Sequence, residues 1–156
     1  MAVTLGLSGA GRADPKNPPE PFLQAMLERR YDDALSLADV AVAEDPSNPW
    51  SHFRRGEVLE RLRRYDEARG ELGQAENLFR APRLRAMAVY VQGHTFADQL
   101  RCDEATMYYE RFASLAKAAD NTRDMELAHR AEQKCWTIKR IMEARDKDEP
   151  VPAPRH

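Results

Sequence analysis

Tyr31-Asp32-Asp33-Ala34 recurs as Tyr65-Asp66-Glu67-Ala68 and, with its aromatic residue lost, as Cys102-Asp103-Glu104-Ala105. The three alanines lie 34 and then 37 residues apart, and each copy opens a segment with helical spacing. Two acids at the start of such a segment sit at the positive end of the helix dipole. A motif returning at this period describes a stack of similar helix pairs, each burying its apolar face on the next, rather than one mixed core. It also moves the functional expectation from catalysis towards binding.

The flanking segments follow this ruler. From Pro21, which suits a first helical turn, Phe22, Leu23, Met26 and Leu27 share one face. Arg30-Tyr31 interrupts the pattern, and Asp32 or Asp33 starts a second helix with Ala34, Leu35, Ala38, Ala41 and Val42 as its stripe. Asn48-Pro49 reads as N-cap and first residue of a third helix over 49–63, carrying Phe53, Gly56, Leu59 and Leu62. A glycine inside a helix costs about 1 kcal/mol, so Gly56 implies the close approach of a neighbour.

The fourth helix runs from Asp66 to about Phe79, with Ala68, Leu72, Ala75 and Leu78 inward. Pro82 opens the fifth, where Gly93 takes the place of Gly56, and the longer second period fits as roughly one more turn here. Asp103 starts the sixth, with Ala105, Tyr109, Phe112 and Leu115 on one side. Asn121 begins the last, with Asp124 three residues on as in a capping box, and it continues to about Arg145. Its stripe of Ala128, Ala131, Cys135, Ile138 and Met142 suits a cover for the sixth helix, as solenoid ends require, or a seam between two molecules. The cover is preferred.

Composition narrows the class. Charged residues make up 32 % of the chain and the net charge is −2, the balance of a globular protein rather than a disordered one. No apolar run approaches the roughly 20 residues of a bilayer span, and the uncharged start Met1–Leu7 does not resemble a secretory signal. Cys102 and Cys135 fall in different helices and form no motif, so they read as two isolated core thiols of a reducing compartment, with the cytoplasm as default. Abundant arginine and alanine hint at a GC-rich, bacterial genome. Gly6, Gly9 and Gly11 with Pro15, Pro18 and Pro19 mark a flexible leader over 1–20, and the Pro-rich tail 147–156 is expected to be disordered.

The arrangement resembles the tetratricopeptide repeat, a helix–turn–helix unit of about 34 residues. The stretch beginning at Pro49 carries the pattern best, with Gly56 and Leu59 in its first helix and Tyr65, Ala68, Leu72, Ala75 and Leu78 in its second. The preceding unit supplies Tyr31, Ala34, Ala38, Ala41 and Pro46, but has Phe22 where the pattern wants a small residue. The following unit supplies Gly93, Phe96, Ala105, Tyr109 and Phe112 and lacks the closing proline. The resemblance implies an all-α, right-handed helical solenoid of three helix pairs (about 15–48, 49–82 and 83–119) plus a C-terminal capping helix at about 122–146, forming one domain over 21–146.

It further implies that the first helices of successive pairs line a concave groove. The residues it places there are Leu23, Met26 and Leu27 from the first unit and Phe53, Arg54, Glu57, Glu60 and Arg61 from the second. The third adds Met87, Tyr90, Val91, His94, Ala97 and Asp98. Such a floor suits a partner peptide or helix, with aromatic anchors and with Arg54 orienting a carboxylate or carbonyl. The carboxylate clamp of chaperone-binding relatives is absent, since its positions hold Pro19, Leu23, Arg54, Met87 and Val91.

Catalytic motifs fail. Gly6–Ala13 has Arg12 and Ala13 where a phosphate loop needs lysine and a hydroxyl. His52, His94, His129 and His156 are scattered singly, with His52 and His129 expected at the surface, and no metal or cofactor is expected. Arg54, Arg55, Arg61, Arg63, Arg64 and Arg69 interleave with glutamates, which suits a salt-bridged surface better than nucleic acid. The expectation is a non-enzymatic adaptor or scaffold. The alternatives are a bacterial secretion-type chaperone for a hydrophobic client, and a homo-oligomer assembling through residues 122–146.

Overall fold

The computed structural model describes residues 20–147. The leader expected over 1–20 and the tail over 147–156 lie outside the described residues except for Glu20 and Lys147, and so does Gly6–Ala13. The described chain forms α1 (Pro21–Leu27), α2 (Tyr31–Glu44), α3 (Pro49–Arg61), α4 (Tyr65–Leu78), α5 (Pro82–Ala97), α6 (Cys102–Ala118) and α7 (Thr122–Asp146). Each helix packs on its neighbours in sequence, and α3 also meets α5, and α5 meets α7. This is the contact pattern of a helical solenoid. The three added residues of the second period are in α5, which has 16 residues against 13 in α3.

The recurring motif begins each second helix, one residue earlier than its acids suggest. Arg30, Arg64 and Arg101 stand at the N-cap positions of α2, α4 and α6. Each reaches forward to the acid three residues on. Arg64 Nε and Nη2 donate to Glu67 at 2.8 and 2.6 Å, Arg101 Nε and Nη2 donate to Glu104 at 2.9 and 2.6 Å, and Arg30 pairs with Asp33. The alanine that follows, Ala34, Ala68 or Ala105, is fully buried in every copy.

The turns before these helices are equally regular. Arg29, Arg63, Leu100 and Asp120 adopt left-handed backbone angles (φ 57°, 61°, 56° and 56°) just past the ends of α1, α3, α5 and α6. The next residue donates its N–H five residues back: Arg30 to Ala25, Arg64 to Leu59, Arg101 to Phe96 and Asn121 to Ala116, at 2.8 to 3.0 Å. This is the helix-terminating arrangement that glycine usually serves, made here by non-glycine residues. The Asn48 side chain accepts from Trp50 N–H ahead of Pro49, and Asn121 accepts from Asp124 N–H while donating to its carboxylate.

Packing within the pairs follows one rule of complementary volume. A β-carbon at Gly56 would lie 2.6 Å from Leu72 Cγ, and one at Gly93 would lie 2.8 Å from the Tyr109 ring. The first pair reverses the sizes. Phe22 stands at the repeat position that Gly56 and Gly93 hold in the later units, and Ala34 and Ala38 of α2 share its buried cluster. The mismatch at Phe22 is therefore balanced across the crossing, as close packing requires. Leu23 and Leu27, expected on the same face as Phe22, are exposed, because the two-turn α1 buries only Phe22 and Ala25.

Two further sequence expectations are overturned. Cys102 and Cys135 are not thiols: they form a disulfide with Cα atoms 5.7 Å apart, joining the start of α6 to the middle of α7. The argument from free thiols to a reducing compartment falls with them. His52 is buried rather than at the surface. Its Nδ1 lies 2.7 Å from Glu71 Oε2 and its Nε2 lies 2.9 Å from the Pro46 carbonyl. Arg55 extends the network, donating to Asp39 at 2.6 Å and to Glu71 at 2.7 Å, so α2, α3 and α4 are tied by polar contacts as well as by packing.

On α7, Ala128 and Cys135 are buried against the α5–α6 core, and Ala131 packs on it, whereas Ile138 and Met142 remain exposed. The first part of the stripe is thus used within the chain, as a cover for α6.

Candidate functional site: a groove between α3, α5 and α7

Two adjoining cavities open on the face where α3, α5 and α7 succeed one another. The first, of about 370 Å³, has Phe53, Glu57, Glu60 and Arg61 from α3 on one wall and Met87, Tyr90, Val91 and His94 from α5 on the other. Phe112 of α6 closes its base, and Asp124 and Leu127 of α7 form its far edge. The second, of about 470 Å³, lies between Tyr90, His94, Ala97 and Asp98 of α5 and Leu127, Arg130, Lys134 and Ile138 of α7, over Tyr109. Tyr90, His94 and Leu127 belong to both cavities and form the divide between them.

The helices place these side chains by simple periodicity. Phe53, Glu57, Glu60 and Arg61 recur at three- and four-residue steps on α3, and Met87, Tyr90, Val91, His94 and Asp98 do so on α5. The aromatic base is held by ring contacts: Tyr90 lies 4.9 Å from Phe112 and 5.8 Å from Tyr109, centroid to centroid. Phe53 is fixed by edge contacts with Trp50 and Phe79 at 5.9 and 6.2 Å. His94 Nε2 is 3.2 Å from the Tyr90 hydroxyl.

The electrostatics of the groove come from burial. Desolvation pushes the Glu57 carboxyl up to about 6, with Glu60 adding to the rise and Arg61 opposing it. Glu60 is raised for the same reason, again against Arg61. Burial lowers the His94 imidazole, helped by Lys134 and Arg61 and opposed by Asp98, so it is neutral at pH 7. Burial also raises the Tyr90 and Tyr109 hydroxyls, which remain protonated donors.

Of the groove residues expected from sequence, Phe53, Glu57, Glu60, Arg61, Met87, Tyr90, Val91 and His94 meet in one cavity, and Ala97 and Asp98 line the other. Arg54 does not join them. Its Nη1 and Nη2 donate to the two carboxylate oxygens of Glu20 at 2.6 and 2.7 Å, and its guanidinium stacks over Phe22, 5.1 Å from the ring centroid. Leu23, Met26 and Leu27 also lie outside both cavities. Sequence reasoning missed Asp124, Leu127, Arg130 and Lys134, because it read α7 as a cover for α6 or a seam between two molecules and named none of its residues in the groove. A second face of α7, with Leu127, Arg130 and Lys134 at three- and four-residue spacing, carried the signal. Among the described residues no cluster of three histidine, cysteine or carboxylate side chains could hold a metal.

A repeated helix pair, whose first helices and terminal helix enclose an open groove, defines the class: a helical-repeat protein. Residues 25–88 match the family model described as Tetratricopeptide repeat, so this part of the chain carries repeats of that family. That match runs from the end of α1 into α5. No curated protein matches the sequence. Repeats of this family generally mediate protein–protein interaction. No helix among the described residues is long and apolar enough to cross a membrane.

Proposed function

We propose that the protein is a non-enzymatic adaptor that holds a segment of a partner protein in the groove between α3, α5 and α7. The observation that carries this reading is the pair of open cavities meeting at Tyr90, His94 and Leu127, with an aromatic base already held in place by its own ring contacts. Preorganised aromatic anchors beside apolar walls give affinity at a low ordering cost. Two cavities in series suit an extended or helical segment that presents side chains at intervals, more than a compact small molecule. The cytoplasmic location argued from free thiols has lost that support.

A photo-crosslinking residue placed at Met87, in the groove, and separately at Met107, an exposed position of α6 outside both cavities, tests this in the native cell. A discrete crosslinked partner from position 87 and none from 107 is the expected result. The reverse pattern would move the binding surface to the opposite face and end the groove reading.

A further inference from the structure

The buried and half-buried acids of this fold fall into two kinds. Glu71 is met by His52 and Arg55, each at 2.7 Å, and Glu76 accepts from Gln92 at 3.1 Å and pairs with Arg111. These carboxylates have the partners that burial demands. Glu57 and Glu60 accept no hydrogen bond among the described residues, although Glu60 is only 9 % exposed. The nearest cation is Arg61, whose Nε is 3.6 Å from Glu60, beyond hydrogen-bond distance, and whose side chain is 58 % exposed.

Both glutamates line the α3–α5 cavity, three residues apart on one face of α3, beside the aromatic rings of Phe53, Tyr90 and Phe112. Two partly desolvated carboxylates that accept no protein hydrogen bond and open to the cavity, next to aromatic faces, form a site for a positive charge. We propose that this cavity receives a lysine or arginine side chain from the partner segment. The inference rests on the groove reading above and names the chemistry of the occupant.

The groups facing the cavity from the other helices agree with this assignment. Across from the glutamates, His94 of α5 is uncharged at neutral pH, and Asp98, one turn further along α5, adds negative potential at Glu60. From α7, Asp124 faces the cavity as a third carboxylate, with one oxygen engaged by Asn121. Arg61 is the one cation on the lining, so the carboxylates outnumber it. Partial burial raises the Glu57 and Glu60 carboxyls, and an incoming cation would offset that cost. The neighbouring cavity has the opposite balance, with Arg130 and Lys134 against Asp98, which fixes the end of the groove that takes the basic residue.

The test uses the full chain with benzamidine as the cationic probe and benzamide as its uncharged isostere, followed by amide chemical shifts at pH 7.5. Benzamidine should bind about ten-fold more tightly, with shifts centred on residues 53–61 and 87–94, through its charge–carboxylate and cation–π contacts. In Glu57→Gln/Glu60→Gln the two probes should converge. Equal binding of both probes to the natural chain would overturn the proposal, and so would a preference that survives the double substitution.

A selection from random nonapeptides forms the second arm, scored for clones that lose binding in Tyr90→Ala. Enrichment of lysine or arginine at one position supports the proposal. Tyr90-dependent peptides without a basic residue would overturn it while leaving the groove reading intact. No Tyr90-dependent peptide at all would overturn both.

Discussion

Replacing Gly56 by alanine sets two opposed effects against each other, and the structure says which one wins. Alanine is the better helix former by about 1 kcal/mol, so an unobstructed site would gain stability. The added β-carbon, however, would stand 2.6 Å from Leu72 Cγ, 2.9 Å from its Cδ2 and 3.3 Å from the Ala68 carbonyl oxygen. Leu72 is fully buried, and Cγ is the branch point of its side chain rather than a flexible far end, so it yields little. Relief therefore requires α3 and α4 to separate along the crossing that Ala68 and Leu72 share. Overpacking of this kind costs about 1–3 kcal/mol, which leaves a net loss of up to about 2 kcal/mol.

The same fold holds its own control. Gly70 lies in α4 with nothing within 4 Å of the position its β-carbon would take. Gly70→Ala should gain about 0.5–1 kcal/mol from helix propensity alone. Urea denaturation of both variants reads the difference, and the accompanying shift in Tm should be about 2–4 °C for each kcal/mol. In a Leu72→Ala background the obstruction is gone, and Gly56→Ala should then become neutral or favourable, a coupling that a double-mutant cycle measures. If Gly56→Ala proves as stabilising as Gly70→Ala in the natural background, the close helix crossing is refuted.

Other consequences follow from the same structure. Folding raises the Glu57 carboxyl from its ordinary 4.5 to about 6, so the folded chain holds more protons than the unfolded one between those values, and stability falls as pH rises through that window. Glu57→Gln should therefore stabilise the protein by about 1–2 kcal/mol above pH 6, with the gain vanishing below 4.5, as thermal melts at pH 4 and pH 7.5 would show. The disulfide between residues 102 and 135 closes a loop with a sequence separation of 33. Cys102→Ser/Cys135→Ser, or reduction of the natural chain, should cost about 3 kcal/mol in urea titrations, with α7 losing amide protection before the other helices. Arg63 is exposed and pays a left-handed backbone penalty, so Arg63→Gly should raise stability by up to about 1 kcal/mol in the same assay.

Much of this architecture could be read from the chain because each repeat states its own geometry locally. The Tyr/Cys-Asp-Asp/Glu-Ala motif marks a helix start, its alanine marks a crossing, and Gly56 and Gly93 mark the facing helix, all within one unit of sequence. What sequence reasoning missed depends on contacts between units. Cys102 and Cys135 meet only because α7 lies across α6 in a register that periodicity alone does not set. His52 reads as a surface residue until Glu71 and the Pro46 carbonyl are placed on either side of it. Leu23 and Leu27 look like part of a buried face, but α1 has only two turns, and α2 can cover only Phe22 and Ala25. The α7 side of the groove was missed because a helix that caps one neighbour also presents a face to another.

Partner binding, as proposed, falls on the face shared by α3, α5 and α7. Hydrogen–deuterium exchange of the full chain with and without the partner captured through position 87 tests it most directly. New protection is expected in residues 53–61, 87–98 and 124–138, with α2 and the outer face of α4 unchanged. Protection confined to α2, α4 and α6 would contradict it.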